Sequence, residues 1–180
     1  GAEQKSRFRP PEGVWIARLP QEDLCQALGI APDHKYQSDG GPSVQDCLKV
    51  LAASEEADED RVVFALAQLA FWLMAATDGH AKNFSLRHRR GGRFGLTPLY
   101  DVLSAWPIIG EGPNHIAYPR AKLAMAIRGE KNPHYHLRDI QPRHWQRLAA
   151  SCGPGVWERM KAMVDSVDRA LEAVASELPV

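Results

Sequence analysis

Three polar side chains, Asp78, Asn83 and Asp101, have the types and the spacing for phosphoryl-transfer chemistry. Asp78 and Asn83 lie five positions apart, which is the Asp-x-x-x-x-Asn spacing of kinase catalytic loops. In such a loop a carboxylate accepts the proton of an attacking hydroxyl, and an amide oxygen helps to hold a magnesium ion on phosphate oxygens. Asp101 would supply the anionic oxygen that this hard cation prefers, in the position where kinases place the Asp of Asp-Phe-Gly.

Each of these residues also has an ordinary structural interpretation. An Asp-Gly pair such as the one at Asp78 is typical of a turn, Asn83 could be a cap or turn residue, and Asp101 could be a helix N-cap. The order of elements along the chain nevertheless favours phosphoryl-transfer chemistry over these structural roles: apolar helix, Asp-x4-Asn, strand, Gly-Gly turn, strand, Tyr-Asp. Inside the loop, His80 and Lys82 either line a phosphate or brace the backbone.

A zinc site is the main competing interpretation, because Asp78, His80 and His88 are close together in the sequence. No HExxH motif and no paired Cys/His spacing accompanies them, so the metal signal is weak. The three cysteines are far apart and lack any nucleophile signature, which predicts buried thiols at Cys25, Cys47 and Cys152.

Composition narrows the class of protein. The chain has 180 residues, of which 44% are hydrophobic, enough for one well-buried core in a single domain. Lys plus Arg and Asp plus Glu both number 22, so no global field favours nucleic acid or a membrane surface. The longest apolar run, 62–76, is shorter than the ~20 residues of a membrane helix. Since no signal-peptide pattern and no CxxC pair is present, the expected location is the cytoplasm.

Apolar spacing and turn signals predict the elements that position the three polar residues. The run 62–76 predicts a buried core helix that leads directly into Asp78. The acidic run 55–60 predicts a solvated start for that helix in preference to a metal site, and each charge there would add ~0.3–1 kcal/mol through the helix dipole. Residues 84–86 and 94–96 predict two strands joined by a Gly-Gly turn. This hairpin would bring Asp101 back to the loop.

Before the hairpin, the sequence predicts an irregular, basic leading segment over residues 1–20, with a short strand at 14–17. A helix over 21–28 and a turn-rich loop over 33–42 should follow. Ser43 and Asp46 form a near capping box for a helix that runs to about residue 54. The predicted fold is mainly α with a small β-hairpin.

After the hairpin, residues 122–128 predict a strand, and a helix should run from Pro142 to a stop at Gly153. Pro154 should open the last helix, whose apolar stripe is predicted to be core, with part of it available to a partner helix: Val156, Met160, Val164, Val167, Leu171, Val174 and Leu178. A histidine group close to two arginines predicts a solvated basic loop: His134, His136 and His144.

The stretches 76–85 and 96–101 resemble HipA, the toxin kinase of a bacterial toxin–antitoxin pair. Other stretches resemble the same family in the same order, namely 18–23, 35–42, 122–125 and 142–145. The resemblance covers nearly the whole chain. It implies the helical C-terminal lobe of a protein-kinase/phosphatidylinositol-kinase-like fold over 21–180, with residues 1–20 following the hinge between lobes.

The resemblance also implies a role for each matching residue, with ATP and magnesium as cofactors. Asp78 is similar to the catalytic base, and Asn83 and Asp101 are similar to the magnesium ligands. Eight residues are similar to those that line the nucleotide: His80, Ala81, Lys82, Asn83, Tyr100, Asp101, Val102 and Leu103.

The partners implied by the resemblance are a HipB-like helix-turn-helix antitoxin, through which operator DNA is reached, and a protein substrate, with no membrane. HipA proteins phosphorylate a serine of glutamate–tRNA ligase. The glycine-rich loop and the nucleotide-pairing Lys of the family belong to an N-terminal lobe and have no match in these 180 residues. The chain also begins with Gly1 rather than Met, so we expect part of a larger kinase, with little or no activity alone. The alternative is a split or truncated, non-catalytic homologue that binds an antitoxin or another partner.

Overall fold

The structure is a computed structural model that describes residues 18–177. The predicted strand at 14–17 and most of the leading segment lie outside the described residues. Helices and small antiparallel sheets make up the described fold, which confirms the predicted combination of elements. In chain order these are β1 (Gln21–Asp23), α1 (Leu24–Ala27), α2 (Val44–Leu51), α3 (Ala57–Leu73), β2 (Ser85–His88), β3 (Phe94–Leu96), β4 (Lys122–Arg128), β5 (Pro133–His136), α4 (Pro142–Cys152), α5 (Val156–Asp165) and α6 (Val167–Glu177).

The predicted core helix is α3, which begins five residues earlier and ends three residues earlier than its apolar run. Phe64, Leu69 and Phe71 are almost fully buried on it. The acidic run is only partly solvated, because Asp60 is buried in the first turn and its Oδ2 accepts the Leu96 N–H at 3.0 Å. This hydrogen bond ties the start of α3 to the β-hairpin.

The predicted hairpin is confirmed as β2 and β3, which pair with Leu86 opposite Leu96. A third strand was not predicted: β1 pairs antiparallel with β2, so the predicted helix over 21–28 is wrong in its first three residues. Asp23 explains where the helix begins. Its carboxylate accepts the Gln26 N–H at 2.9 Å and its own N–H donates to Gln26 Oε1 at 2.9 Å, a capping box that leaves the preceding residues extended.

Helix α2 begins as predicted, with Ser43 as N-cap and Asp46 completing the capping box, and it ends at Leu51 rather than near residue 54. The predicted strand β4 and the predicted helix α4 are also confirmed, and Gly153 ends α4. All three cysteines are buried and free, as predicted. No helix within residues 18–177 is both long and apolar enough to cross a membrane.

Two predictions near the C-terminus are wrong. His144 is not in a solvated loop, because it is buried in α4 with its ring stacked 4.2 Å from that of His134. The last helix is interrupted at Ser166, which separates α5 from α6. Its apolar stripe is core only at the α5 end, since Leu171 and Val174 are 64% and 57% exposed. Helix α6 packs on α5 and buries none of its described residues.

Candidate active site

The predicted catalytic loop starts where α3 ends in a Schellman motif. The Ala76 N–H donates to the Phe71 carbonyl at 2.7 Å and the Ala75 N–H donates to the Trp72 carbonyl at 3.1 Å. Ala75 takes the left-handed conformation, with φ of 51°, at the position usually held by glycine. The chain therefore turns sharply out of the core helix and into the loop.

The segment that follows Asp101 caps the remaining carbonyls at the end of α3. Ser104 Oγ donates to the Met74 carbonyl at 2.7 Å, and the Trp106 indole N–H donates to the Leu73 carbonyl at 2.8 Å. The Ala105 N–H donates to the Ala75 carbonyl at 3.3 Å. Since these last carbonyls have no partner inside the helix, the two chain segments that carry the polar residues are fixed to one structural element.

A single backbone N–H, that of His80, joins Asp78 to Asn83. It is shared between the Asp78 carbonyl at 2.9 Å and the Asn83 side-chain Oδ1 at 3.1 Å. The Asn83 Nδ2 in turn donates to Asp101 Oδ2 at 3.0 Å. The hairpin therefore returns Asp101 to the loop, as predicted, and the contact it makes is with Asn83.

Tyr100 anchors the residue that precedes Asp101. Its hydroxyl lies 2.7 Å from Ser85 Oγ and donates to the Lys82 carbonyl at 2.8 Å. Asp101 itself is exposed and has φ of 57°, a left-handed conformation that is uncommon outside glycine. Strained positions of this kind cluster at functional sites and persist only where their surroundings hold them. Here Tyr100 and Asn83 hold Asp101 from both sides.

Asp78 is readily accessible, with a side chain that is 65% exposed. Its Oδ1 accepts a 2.5 Å hydrogen bond from the Tyr36 hydroxyl, and lies 3.8 Å from Lys35 Nζ and 3.7 Å from His80 Nε2. The hydrogen bond to Asp78 raises the pKa of Tyr36 to about 12. Burial lowers the pKa of His80, partly opposed by the negative charge of Asp78.

The other residues predicted to line a nucleotide differ in their accessibility. His80 and Ala81 are buried, with 5% and 0% exposure, and Lys82 is half-buried. Leu103 is 74% exposed, whereas Val102 packs against the core. Among the residues predicted to line a nucleotide, the accessible surface therefore comes mainly from those next to Asp101.

Sequence reasoning gave no role to Lys35 and Tyr36, which lie more than forty positions before Asp78. The segment that carries them is compact, with one-turn 3₁₀ helices at Pro32–His34 and Gln37–Asp39. A Cβ at Gly41 would lie 2.4 Å from the His34 carbonyl oxygen. The Asp-Gly-Gly-Pro run signalled this tight turn but contained no information about what the Tyr36 hydroxyl would reach.

The oxygen donors of Asn83 and Asp101 fit a hard divalent cation such as magnesium. Asn83 Oδ1 accepts one hydrogen bond, from the His80 N–H, and a carbonyl oxygen has a second lone pair for a metal. That same hydrogen bond fixes which way the amide points. Asp101 Oδ1 has no hydrogen-bond partner within the described residues, and the carboxylate is exposed.

The chain is similar to known proteins in sequence and in fold. Residues 6–175 match the family model described as the HipA-like C-terminal domain. Two proteins of Sinorhizobium fredii strain NGR234 are similar in sequence. "Putative kinase Y4mE" is 34% identical over 177 residues, which are 98% of this chain and 39% of that protein. "Putative kinase Y4dM" is 30% identical over 129 residues, which are 70% of this chain and 29% of that protein.

Among solved structures, the HipA chain of a complex of HipA, HipB and operator DNA from Shewanella oneidensis MR-1 has the same fold. The TM-score is 0.76 at 20% sequence identity, and the match covers 96% of this chain and 41% of that chain. The chain thus spans about two-fifths of the length of that HipA and of Y4mE. With its family-model match and these relatives, the chain belongs to the HipA-like C-terminal domain family.

Proposed function

We propose that this chain is the catalytic, helical lobe of an ATP- and magnesium-dependent serine/threonine kinase of the HipA type, with the lobe architecture of protein kinases and phosphatidylinositol kinases. The observation that carries this proposal is the 3.0 Å hydrogen bond between Asn83 Nδ2 and Asp101 Oδ2. It places a carboxylate beside an amide on the loop that also carries the exposed Asp78. Kinases need this combination of one accessible base and two oxygen ligands.

In this proposal Asp78 accepts the proton of the acceptor hydroxyl, because its exposed carboxylate can be reached by a protein side chain. Asn83 and Asp101 would hold magnesium through Oδ1 of the amide and the carboxylate. Magnesium bound there would supply positive charge to the phosphate oxygens. Lys82, Tyr100, Val102 and Leu103, with the backbone of 80–81, would line the nucleotide.

The proposed partners follow from the similarity of this chain to HipA proteins. The S. oneidensis HipA is in a complex with HipB and operator DNA. We therefore expect the complete gene product that carries this chain to bind a HipB-like helix-turn-helix antitoxin, and to reach DNA mainly through it. A serine of glutamate–tRNA ligase is the first acceptor to test, because the HipA resemblance implies it.

The test is magnesium-dependent nucleotide binding, measured by calorimetry on the complete gene product. Asp101→Ala and Asn83→Ala should each weaken the affinity for magnesium-ATP at least about tenfold, since each removes one metal ligand. Asp78→Asn should keep nucleotide binding and abolish transfer to the acceptor serine. Asp168→Ala, on the exposed helix α6, is the matched control and should bind like the wild type.

Equal affinity for magnesium-ATP in the wild type and in Asp101→Ala would refute the ligand assignment. Transfer that persists in Asp78→Asn would refute the assignment of the base. If the complete gene product bound an antitoxin but no magnesium-ATP, the non-catalytic binding module would be the better description.

A further inference from the structure

The proposed base is held through only one of its two carboxylate oxygens. Asp78 Oδ1 accepts the 2.5 Å hydrogen bond from the Tyr36 hydroxyl and is also the oxygen nearest to His80 Nε2 and Lys35 Nζ, at 3.7 and 3.8 Å. Oδ2 has no hydrogen-bond partner among residues 18–177. The two oxygens, which are equivalent in a free carboxylate, are therefore not equivalent here.

We propose that Tyr36 is a positioning residue of the kinase reaction: it fixes Asp78 through Oδ1 and leaves Oδ2 to accept the proton of the acceptor hydroxyl. This inference rests on the proposed function, in which Asp78 is the base. Nothing in the local sequence of the catalytic loop indicates it, since the two side chains are 42 positions apart.

Tyr36 can hold another side chain in place because its own backbone is fixed. Its carbonyl accepts the N–H groups of Asp39 and Gly41, at 3.0 and 2.9 Å. The neighbouring Gln37 accepts the Ala126 N–H through Oε1 at 2.8 Å, which ties the segment to β4. These contacts lie outside the catalytic loop, so the position of the hydroxyl is set independently of the loop that it restrains.

Two side chains also contact the aromatic ring of Tyr36. It packs edge-on against the buried His80 ring, with centroids 5.5 Å apart and an interplanar angle of 78°. The Lys35 ammonium lies 5.0 Å from its centroid. Hydrogen bonds to an ionised acceptor are shorter and about twice as strong as neutral ones. An otherwise exposed carboxylate is thereby restricted in its rotation about the Cβ–Cγ bond.

The step that this geometry serves balances as follows. The acceptor Oγ–H bond breaks and its proton passes to Asp78 Oδ2, while Oγ forms a bond to the γ-phosphorus of ATP. The bond between that phosphorus and the β–γ bridging oxygen breaks, and its electron pair leaves on ADP. Tyr36 keeps its proton throughout, which its raised pKa of about 12 favours. Misplacing a catalytic group by about 1 Å can cost on the order of 100-fold in rate, so holding Oδ2 in place is worth a measurable factor.

The opposite role for Tyr36 is also testable. A hydroxyl that occupies the base could block the acceptor, in which case removing it would raise the rate. The test therefore measures kcat for Tyr36→Phe and for a control variant, Tyr118→Phe, in the complete gene product. The control residue is an exposed tyrosine stacked on Trp106, with no hydrogen bond from its hydroxyl within the described residues.

Tyr36→Phe should lower kcat for serine phosphorylation about tenfold and leave the KM for magnesium-ATP unchanged, because Asn83 and Asp101 are untouched. Tyr118→Phe should behave like the wild type. An unchanged or increased kcat in Tyr36→Phe would overturn the inference, provided that Asp78→Asn is inactive. If Asp78→Asn is active, the proposed function fails instead.

A second measurement does not depend on activity. In the 180-residue chain with ¹³C-labelled tyrosine, NMR at pH 11 should show Tyr36 only about 10% ionised, given its pKa of about 12. In Asp78→Asn a clearly larger fraction of Tyr36 should be ionised, because the hydrogen bond to the Asp78 carboxylate is the largest cause of the raised pKa. The Tyr36→Phe spectrum assigns the resonance. Equal ionisation of Tyr36 in both proteins would show that the hydrogen bond does not exist in solution.

Discussion

Replacing Gly79 by alanine should both destabilise the fold and disturb the proposed catalytic loop. Gly79 lies between Asp78 and His80, and a Cβ placed on it would lie 2.2 and 2.5 Å from two ring carbons of Phe71. Such distances are far inside van der Waals contact. Phe71 is only 2% exposed and packs against the Phe84 ring, with centroids 5.6 Å apart. The ring therefore has little free space into which it can move.

The cost can be estimated from overpacking in other cores, which is typically 1–3 kcal/mol. We expect about 2–3 kcal/mol here, because the clash is with a buried ring rather than with a flexible chain end. For a chain of this size, about 2–4 °C of Tm is lost per kcal/mol. Gly79→Ala should therefore melt about 4–12 °C below the wild type.

The assay is urea unfolding of the 180-residue chain, followed by tryptophan fluorescence. Gly110→Ala is the matched control, since its Cβ would make an ordinary 3.5 Å contact with His115 and its backbone is not left-handed. The control should unfold within about 0.5 kcal/mol of the wild type. Wild-type stability in Gly79→Ala would refute the close approach of the loop to α3. In the complete gene product, Gly79→Ala should also lower phosphoryl transfer, because the clash displaces the residues on both sides of it.

Three further outcomes are expected. The 180-residue chain alone should show no Asp78-dependent ATP hydrolysis, since the proposal assigns other nucleotide contacts to a second lobe; Asp78-dependent turnover in a radiolabel assay would contradict this. Burial lowers the pKa of His80 and His144 below the ordinary 6.5. As the pH falls through about 6.5, the unfolded chain therefore binds more protons than the folded chain, and the free energy of unfolding should decrease between pH 7.5 and 5.5. In His144→Gln, urea unfolding should show a weaker dependence of the unfolding free energy on pH, and an unchanged dependence would contradict the role given to His144. Leu171→Lys on α6 should change the free energy of unfolding by less than about 0.5 kcal/mol, whereas Met160→Lys at a buried position of α5 should unfold the chain. A large loss of stability in Leu171→Lys would show that α6 is part of the core.

Elements that are specified by neighbouring residues could be predicted from the sequence. The capping box of α2 joins residues only three positions apart, Ser43 and Asp46. The hairpin closes over its own Gly-Gly turn, and so the return of Asp101 to the loop followed from a stretch of about twenty residues. In these cases turn residues and apolar spacing determine the local structure, because no distant segment of the chain takes part in it.

Features that depend on distant partners could not be predicted. Strand β1 forms because residues 21–23 find the free edge of β2, more than sixty positions away. The hydroxyl of Tyr36 reaches Asp78 across 42 positions. The stripe on α6 has the period of a buried helix face, yet Leu171 is exposed, because periodicity defines a face without specifying what covers it.

The left-handed backbone of Asp101 offers a way to separate the loss of a proposed magnesium ligand from the loss of fold stability. Glycine adopts a φ near 57° without steric cost, whereas alanine does so at a cost of about 1 kcal/mol or more. Asp101→Gly and Asp101→Ala remove the same carboxylate, so both should lose magnesium-dependent nucleotide affinity equally in the complete gene product. In urea unfolding of the 180-residue chain, however, the alanine variant should be less stable by about 1 kcal/mol. Equal stability of the two would mean that Asp101 does not hold this conformation in solution. Unequal nucleotide affinities would mean that the Asp101 backbone, and not only its carboxylate, determines binding.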